Sequence, residues 1–171
     1  MIITRDLVKR ARSGDTEAFI ALIEAHRQSL YKVARGFFSE PMDIEDAISE
    51  TVISCWEHLS TLKKPETFKT WLTRILINKC TDIKRQRKNI VPLELLPETA
   101  AISPAPDDLD FESLIRPLSP PYRVVMILHY SEGYKAREIA EMLGLPLGTV
   151  TSRLKRGREQ LAGILEGKEC V

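Results

Sequence analysis

Apolar residues recur at steps of three and four along the first ninety residues, which is the spacing of one face of an α-helix. One such run follows Asp15, which is suited to cap a helix. A second run follows Pro41, with Asp43 as its expected cap, and a third begins after Pro65. No segment shows the strict alternation of a half-buried strand. The pattern therefore predicts an all-α protein.

Near the carboxyl terminus, the pattern predicts two helices joined by a tight turn. Residues 135–143 form a short amphipathic helix, and Gly144 suits the left-handed position that ends it. Pro146 fits the first turn of the next helix. This arrangement is a helix-turn-helix. Gly157 lies on the apolar face of the second helix, and because glycine there costs about 1 kcal/mol, its position indicates close packing.

The opposite face of that second helix combines short hydroxyl side chains with Lys and Arg. Long basic side chains reach base edges and phosphates, and small residues admit a helix into the major groove. The alternative interpretation is a solvated basic face on a packed helical hairpin. The candidate contacts with duplex DNA are Thr149, Thr151, Ser152, Arg153, Lys155, Arg156 and Arg158.

The stretch 91–113 differs from both helical segments. It contains six acidic residues and no Lys or Arg, and seven of the ten prolines fall within thirty residues of the chain. This composition predicts a flexible acidic linker. We therefore expect two small helical domains, 1–90 and 114–171. If extended, the linker would span roughly 75 Å.

Composition narrows the possible classes of protein. The 171 residues carry a net charge of +1, and 43% of them are hydrophobic, which is typical of a folded protein. The three cysteines form no CxxC pair, so neither a disulfide framework nor a zinc site is expected. No apolar run reaches the length of a membrane span, and no signal peptide is recognisable. We expect a cytoplasmic protein without membrane insertion.

The end of the third predicted helix is strongly basic, with five basic residues and one acidic residue from Lys79 to Lys88. Such a helix end attracts phosphate. Upstream, lysines alternate with Phe68 and Trp71, and aromatic rings beside lysines can hold unstacked bases. The alternative is that these two aromatic residues belong to the core.

The second predicted helix is acidic instead. Asp46 and Glu50 stand one turn apart, a spacing found in metal sites and acid–base pairs. However, no histidine is placed to join them, and the chain has no Gly-rich phosphate loop. The acidic face is better suited to docking a basic protein partner, with a solvated face as the alternative. We expect no metal, no cofactor and no catalytic residue.

Taken together, these segments resemble a known family. LYKVARGFF, DIEDAISETVISCWEHL and FKTWLTRILINKCTDIKRQRK resemble region 2 of the extracytoplasmic-function (ECF) group of bacterial RNA polymerase sigma factors. LSPPYRVVMILHYSEGYKAREIAEMLGLPLGTVTSRLKRGREQL resembles region 4. The order of the motifs, the acidic linker and the total length make the resemblance specific. It implies a sigma factor that binds core RNA polymerase and directs initiation at promoters with −10 and −35 elements.

The resemblance also assigns roles to individual residues. Contact with the β′ clamp helices of the polymerase is expected from Asp43, Glu45, Asp46, Glu50 and Trp56. Recognition and melting of the −10 element is expected from Lys63, Lys64, Phe68, Lys69, Trp71, Asn78, Lys79, Lys84, Arg85, Arg87 and Lys88. The helix-turn-helix is expected to bind the −35 element. The β flap is a further expected partner, and an anti-sigma factor is a possible one.

The sequence departs from the family at several positions. Ser49 stands where Gln is frequent, Thr151 where Lys is frequent, and Gly157 where Ala is frequent. The preferred promoter sequence therefore does not follow from the relatives. Two alternative functions remain: a stand-alone helix-turn-helix regulator, and a nucleic-acid-processing enzyme that uses the acidic helix.

Overall fold

A computed structural model of the protein describes residues 2–90 and 111–168. Within these residues there are nine α-helices and no strand, so the all-α prediction is confirmed. The helices are α1 (Ile2–Arg12), α2 (Thr16–Glu24), α3 (Arg27–Phe37), α4 (Pro41–His58), α5 (Phe68–Ile90), α6 (Phe111–Ile115), α7 (Pro120–Met126), α8 (Ala136–Leu143) and α9 (Leu147–Lys168). A π-helical turn, Ile127–Ser131, follows α7.

The amino-terminal part of the chain contains more helices than its apolar pattern predicts. Asp15 caps α2 as expected, and its carboxylate accepts a hydrogen bond from the amide of Ala18 at 3.0 Å. The single helix expected after Asp15 is interrupted, because α2 ends at Glu24 and α3 begins only at Arg27. At the break, the Nδ1 atom of His26 lies 2.8 Å from the carbonyl oxygen of Leu22. Helix α1 was not predicted.

The start of α4 corrects the expected cap. Glu40, rather than Asp43, occupies the capping position, and Pro41 begins the helix. Asp43 lies one turn further on, is only 3% exposed, and pairs with the guanidinium of Arg87 on α5. A buried carboxylate needs such a partner, since an isolated charge away from water is costly. Asp43 therefore ties α4 to the carboxyl-terminal half of α5.

The predicted helix-turn-helix is present as α8 and α9. Gly144 ends α8 with a φ angle of 62°, in the left-handed region where glycine is favoured. The carboxylate of Glu138 caps the start of α8 by accepting the backbone N–H of Lys135 at 2.7 Å. A Cβ atom added at Gly157 would lie 3.1 Å from Met126, which confirms the predicted close packing and identifies α7 as the partner helix.

The two lobes, residues 2–90 and 111–168, share one hydrophobic core. Gly36 allows α3 to approach α7 closely, because a Cβ there would lie 3.2 Å from Ile127 and 3.3 Å from Val124. The Nε of Arg123 donates a hydrogen bond to the carbonyl oxygen of Gly36 at 3.2 Å. Most of the predicted linker lies outside the described residues, and α6 begins at Phe111, within the stretch assigned to the linker.

Candidate nucleic-acid interface

Helix α9 presents the predicted DNA-binding face to solvent. Val150 and Leu154 anchor its inner side in the core. On the outer side Ser152, Lys155 and Arg156 are exposed, as are Thr151 and Arg158, while Thr149 and Arg153 are half-buried. The structure thus brings all seven predicted residues together on one helix. We call these seven residues the α9 face.

The basic groups of the α9 face are only weakly engaged. Lys155 lies 3.9 Å from Glu159, at the limit of an ion pair, and Arg158 donates a hydrogen bond to the hydroxyl of Tyr130 at 3.0 Å. Within the described residues, neither Arg153 nor Arg156 has a hydrogen bond or an ion pair. The exposed guanidinium group of Arg156 is therefore available to bind a phosphate or a guanine edge, and the half-buried Arg153 has no competing internal partner among these residues.

A concave surface adjoins the α9 face, with an open volume of about 580 Å³. Its other wall is the start of α7, where Ser119 and Tyr122 face Ser152 and Arg156. Neither residue was predicted to lie at this interface. The Ser-Pro-Pro run that begins α7 signals a helix start, but its position beside α9 follows only from the packing of the lobe.

The basic residues of α5 are placed differently from those of α9. The Nζ of Lys79 lies 3.4 Å from the carboxylate of Glu50, and Arg87 pairs with Asp43. The ammonium group of Lys84 lies over the rings of Phe37 and Phe38, at 5.5 and 5.8 Å from their centroids. Most of the described basic side chains of this helix therefore already have a partner within the protein.

The remaining residues expected at the −10 element differ in exposure. Lys63, Lys64, Asn78 and Arg85 are exposed. The side chain of Lys88 lies outside the described residues.

The two aromatic residues expected to stack on bases lie mainly in the core. Phe68 is 0% exposed, and its ring packs edge-to-face on His26 with 5.1 Å between centroids. Trp71 is half-buried, and the centroid of its ring lies 6.1 Å from that of Phe68. In this conformation Phe68 has no surface to offer a base, which corrects the expectation drawn from the resemblance. The burial of Phe68 agrees instead with the alternative interpretation, in which this aromatic residue belongs to the core.

On the acidic face of α4, Glu45, Asp46 and Glu50 are exposed to solvent. Asp43 is buried and therefore cannot contact a partner protein. Trp56 is 44% exposed and packs edge-to-face on Phe19, with 4.8 Å between centroids. The exposed face thus combines carboxylates with an aromatic ring.

Ile53 is also strongly exposed on α4, and the sequence analysis missed it. A signal was available, because Ile53 stands off the apolar stripe of that helix. Ile53 and Trp56 are three residues apart on this helix and are both exposed, and neighbouring exposed apolar side chains are a feature of protein-binding surfaces.

The two described cysteines are structural. Cys55 and Cys80 are fully buried, and burial raises the pKa of both thiols to about 12. They are therefore neutral at physiological pH. No cluster of three or more potential metal ligands occurs among residues 2–90 and 111–168. Among the helices of these two ranges, none combines the length and the apolar character that a membrane span requires.

The lobes meet through a polar contact that includes a predicted DNA-binding residue. Lys69 of α5 forms an ion pair with the carboxylate of Glu132, at 3.0 Å, and donates a hydrogen bond to its backbone oxygen at 3.2 Å. The hydroxyls of Thr73 and Tyr134 lie 3.0 Å apart, and desolvation raises the pKa of Tyr134. The structure thus places part of the predicted −10 surface against the second lobe.

These observations define a two-lobed, helix-turn-helix protein with one exposed basic face and one exposed acidic face. Comparison with known proteins identifies the family. Residues 22–90 match the family model "Sigma-70 region 2", and residues 108–161 match "Sigma-70, region 4". The two matches occur in the predicted order.

Individual relatives support the same family. ECF RNA polymerase sigma factor SigW of Bacillus subtilis is 27% identical over 90% of this chain and 92% of its own length. RNA polymerase sigma factor CnrH of Cupriavidus metallidurans is 29% identical over 95% of this chain and 94% of its own length.

Two solved structures are similar in fold. One is CnrH in complex with the cytosolic domain of CnrY, with a TM-score of 0.66 and 30% identity over 96% of this chain and 98% of that one. The other is the sigma factor RpoE of Bartonella quintana in complex with the anti-sigma factor NepR, with a TM-score of 0.71 and 27% identity over 86% and 96% of the two chains. The chain therefore belongs to the ECF group of RNA polymerase sigma factors, and the predicted role in transcription initiation is confirmed.

Proposed function

We propose that this sigma factor recognises the −35 element through the α9 face and the −10 element through α5 and the loop before it, while the acidic face of α4 holds the polymerase. The observation that carries the proposal is the α9 face, where hydroxyl and basic side chains are exposed together on the second helix of a helix-turn-helix. That helix is the one that enters the major groove in such motifs.

The polymerase contact rests on Glu45, Asp46, Glu50 and Trp56, with Ile53 added by its exposure. We propose that they meet the β′ clamp helices, and that the second lobe meets the β flap. Carboxylates around an exposed aromatic ring suit a basic partner, because charges at a rim steer association while the apolar centre supplies affinity. Asp43 is excluded from this contact and supports the fold instead.

The −10 contact rests on Lys63, Lys64, Asn78 and Arg85, which are exposed, and on Lys69 and Lys79 once their internal partners are displaced. Trp71 is the aromatic residue with accessible surface for stacking on a base. Captured bases must leave the stack, at a cost of a few kcal/mol that binding offsets.

Domain roles follow from this assignment. Residues 1–90 act on the polymerase and the −10 element, residues 91–113 connect, and residues 114–171 act on the −35 element. We propose that the protein works in the cytoplasm, has no catalysis of its own, and is controlled by an anti-sigma factor. The similarity to sigma factors solved with CnrY and with NepR supports such control.

Run-off transcription tests the function directly. Fragmented genomic DNA of the host is transcribed with sigma-free core polymerase, with and without the protein, and the new 5′ ends are mapped. We expect discrete start sites that depend on the protein and share two upstream elements. A variant of the α9 face, Arg156→Ala, should weaken initiation at these starts, whereas Gln160→Ala, exposed on the same helix, should leave it unchanged. Tight binding of a specific duplex without polymerase, and no initiation with it, would instead indicate a stand-alone regulator.

A further inference from the structure

Arg123 is a buried cation without a carboxylate partner. It lies on α7 and is only 9% exposed. Its guanidinium group donates two hydrogen bonds, to the carbonyl oxygens of Gly36 and Arg116, each at 3.2 Å. Within the described residues it forms no ion pair. Removing a charge from water is costly, and two neutral acceptors offset only part of that cost.

The contact with Gly36 gives Arg123 a structural role. Gly36 lies in the last turn of α3, where the carbonyl oxygens lack helical partners and carry partial negative charge. This charge is equivalent to about half an elementary charge at most. The two carbonyl oxygens engage the Nε and Nη1 atoms, and the Nη2 atom has no partner among the described residues. Arg123 therefore retains both charge and a donor for an anion.

A cavity of about 30 Å³ adjoins Arg123 at the contact between the lobes. One water needs roughly 10–15 Å³ of such space, so the cavity has room for a small oxygen-rich group and no more. Ser39 lines the cavity and is exposed, so the cavity reaches solvent. Of its eight described lining residues none is acidic, and four are basic: Lys32, Arg35, Arg116 and Arg123.

The charges around the cavity repel one another. Burial lowers the pKa of Arg123, and the neighbouring charges of Arg35 and Arg116 lower it further. Lys32, Arg35 and Arg116 are half-buried, so water screens their charges only in part. These three residues have further interactions within the protein, whereas Arg123 has its two carbonyl oxygens. An anion in the cavity would relieve the repulsion at Arg123 directly.

The shape and charge of the site favour phosphate over other anions. A guanidinium group matches two oxygens of a phosphate at once, and such charge-assisted pairs are about twice as strong as neutral hydrogen bonds. A phosphate group carries close to two negative charges at neutral pH, which suits a site with several cations better than a single carboxylate does.

We propose that the cavity between α3 and α7 binds one phosphate group, with Arg123 as its principal ligand. The group is either inorganic phosphate or the terminal phosphate of a nucleotide whose remainder stays outside the cavity. The site is separate from the α9 face and from the acidic face of α4, so it does not depend on the proposed contacts with DNA and polymerase.

The first experiment observes the guanidinium group of Arg123 directly. The full chain, labelled with ¹⁵N, is titrated with inorganic phosphate at constant ionic strength, and the arginine Nε–Hε signals are followed by NMR. The signal of Arg123 is identified by its loss in Arg123→Lys. We expect this signal to shift and to saturate. Arg74 pairs with Glu141 at 2.9 Å and serves as the internal control. Absence of a saturable shift at Arg123, or an identical curve at Arg74, would overturn the proposal.

The second experiment measures the affinity from thermal unfolding, because a ligand that binds only the folded state raises the midpoint. Sodium chloride of equal ionic strength is the reference. Arg123→Met removes the charge and keeps much of the side-chain length, and its dissociation constant for phosphate should be about tenfold larger or more. Arg74→Met should respond like the parent. An unchanged response in Arg123→Met would contradict the assignment. If Arg123→Met does not fold, Arg123→Lys replaces it, since an ammonium group lacks the paired donors.

The third experiment identifies the source of the phosphate group. Inorganic phosphate, ADP, adenosine and acetate are titrated separately against the Arg123 signal. Saturation at the lowest concentration by inorganic phosphate assigns the site to the free ion, and saturation by ADP, without an effect of adenosine, assigns it to a nucleotide. Acetate binding as tightly as either phosphate compound would show that the site does not select phosphate, and the proposal would be wrong. None of these measurements contains polymerase or promoter, so their outcome is independent of the run-off test.

Discussion

The two helices that we propose to bind DNA, α5 and α9, differ in how their basic side chains are presented. Helix α9 exposes its basic side chains, and Arg153 and Arg156 have no internal partner within the described residues. In α5, by contrast, Lys69 pairs with Glu132 and Lys79 with Glu50. Both helices are rich in basic residues. Among the described residues, α9 presents unpaired guanidinium groups, whereas the lysines named in α5 are paired with carboxylates. We therefore expect α9 to bind DNA without internal rearrangement, whereas Lys69 and Lys79 of α5 must first leave their internal acids.

The largest expected effect separates two neighbouring arginines of α5. Arg87→Ala should lower the free energy of unfolding by about 2–4 kcal/mol, because it leaves the buried carboxylate of Asp43 without a cation. Arg85→Ala should change it by no more than about 0.5 kcal/mol, since Arg85 is exposed. Urea denaturation measures both. Equal effects would show that Asp43 does not need Arg87.

The α9 face should respond in binding rather than in stability. If the guanidinium group of Arg156 contacts a base edge, Arg156→Ala should reduce the binding free energy by about 1–3 kcal/mol, and only for promoters that carry the preferred base at that step of the −35 element. Affinities of the holoenzyme for a set of promoters with single substitutions measure this cost. A uniform loss across the whole set would make Arg156 a phosphate contact, with a salt dependence flatter by about one unit of slope.

The contact between the lobes can also be weakened without changing any charge. Gly36→Ala places a methyl group 3.2 Å from Ile127, and should favour separated lobes by about 1 kcal/mol, the low end for overpacking. Its gain in helix propensity is shared by both arrangements and cancels. Distances between spin labels on the two lobes test this, with Gly163→Ala, which meets no neighbour within 4 Å, as the control.

The smallest effect concerns the buried thiols. Because burial raises the pKa of Cys55 and Cys80 to about 12, folded thiols keep their protons at pH values where unfolded thiols, with an ordinary pKa of 9.0, release theirs. The free energy of unfolding should therefore fall as the pH rises through 9. At pH 9 it should be lower than at pH 7 by roughly 0.4 kcal/mol for each thiol. Denaturation of the parent and of Cys55→Ala at pH 7 and pH 9 measures the difference. A loss of the same size in both chains would assign it to other groups.

Local chemistry allowed much of the fold to be predicted. Gly144 ends α8, Asp15 caps α2, and Gly157 packs closely on α7, each as its residue type and spacing indicate. The break at His26 and the helix α1 were missed. The break at His26 carries no Gly or Pro stop signal. Helix α1 does carry one, because Gly14 follows it with a φ angle of 93°.

The candidate site was predictable where its residues share one helix. The seven residues of the α9 face follow from a period of 3.6, and the structure places them together. Asp43 was assigned to a surface, and Phe68 to a surface with the core as the alternative, and both lie in the core. Their motifs identify the family, yet a motif does not report whether a side chain faces solvent.

The sequence by itself determined the helical class, the helix-turn-helix, the family and the opposite charges of α4 and α9. These properties depend on residues within a few turns of one another, where helix geometry alone sets the arrangement. Only the tertiary structure decided which charges are free. The partners Arg87–Asp43 and Lys69–Glu132 are 44 and 63 residues apart in the chain. Because such pairs form only when distant helices pack, no local pattern records them.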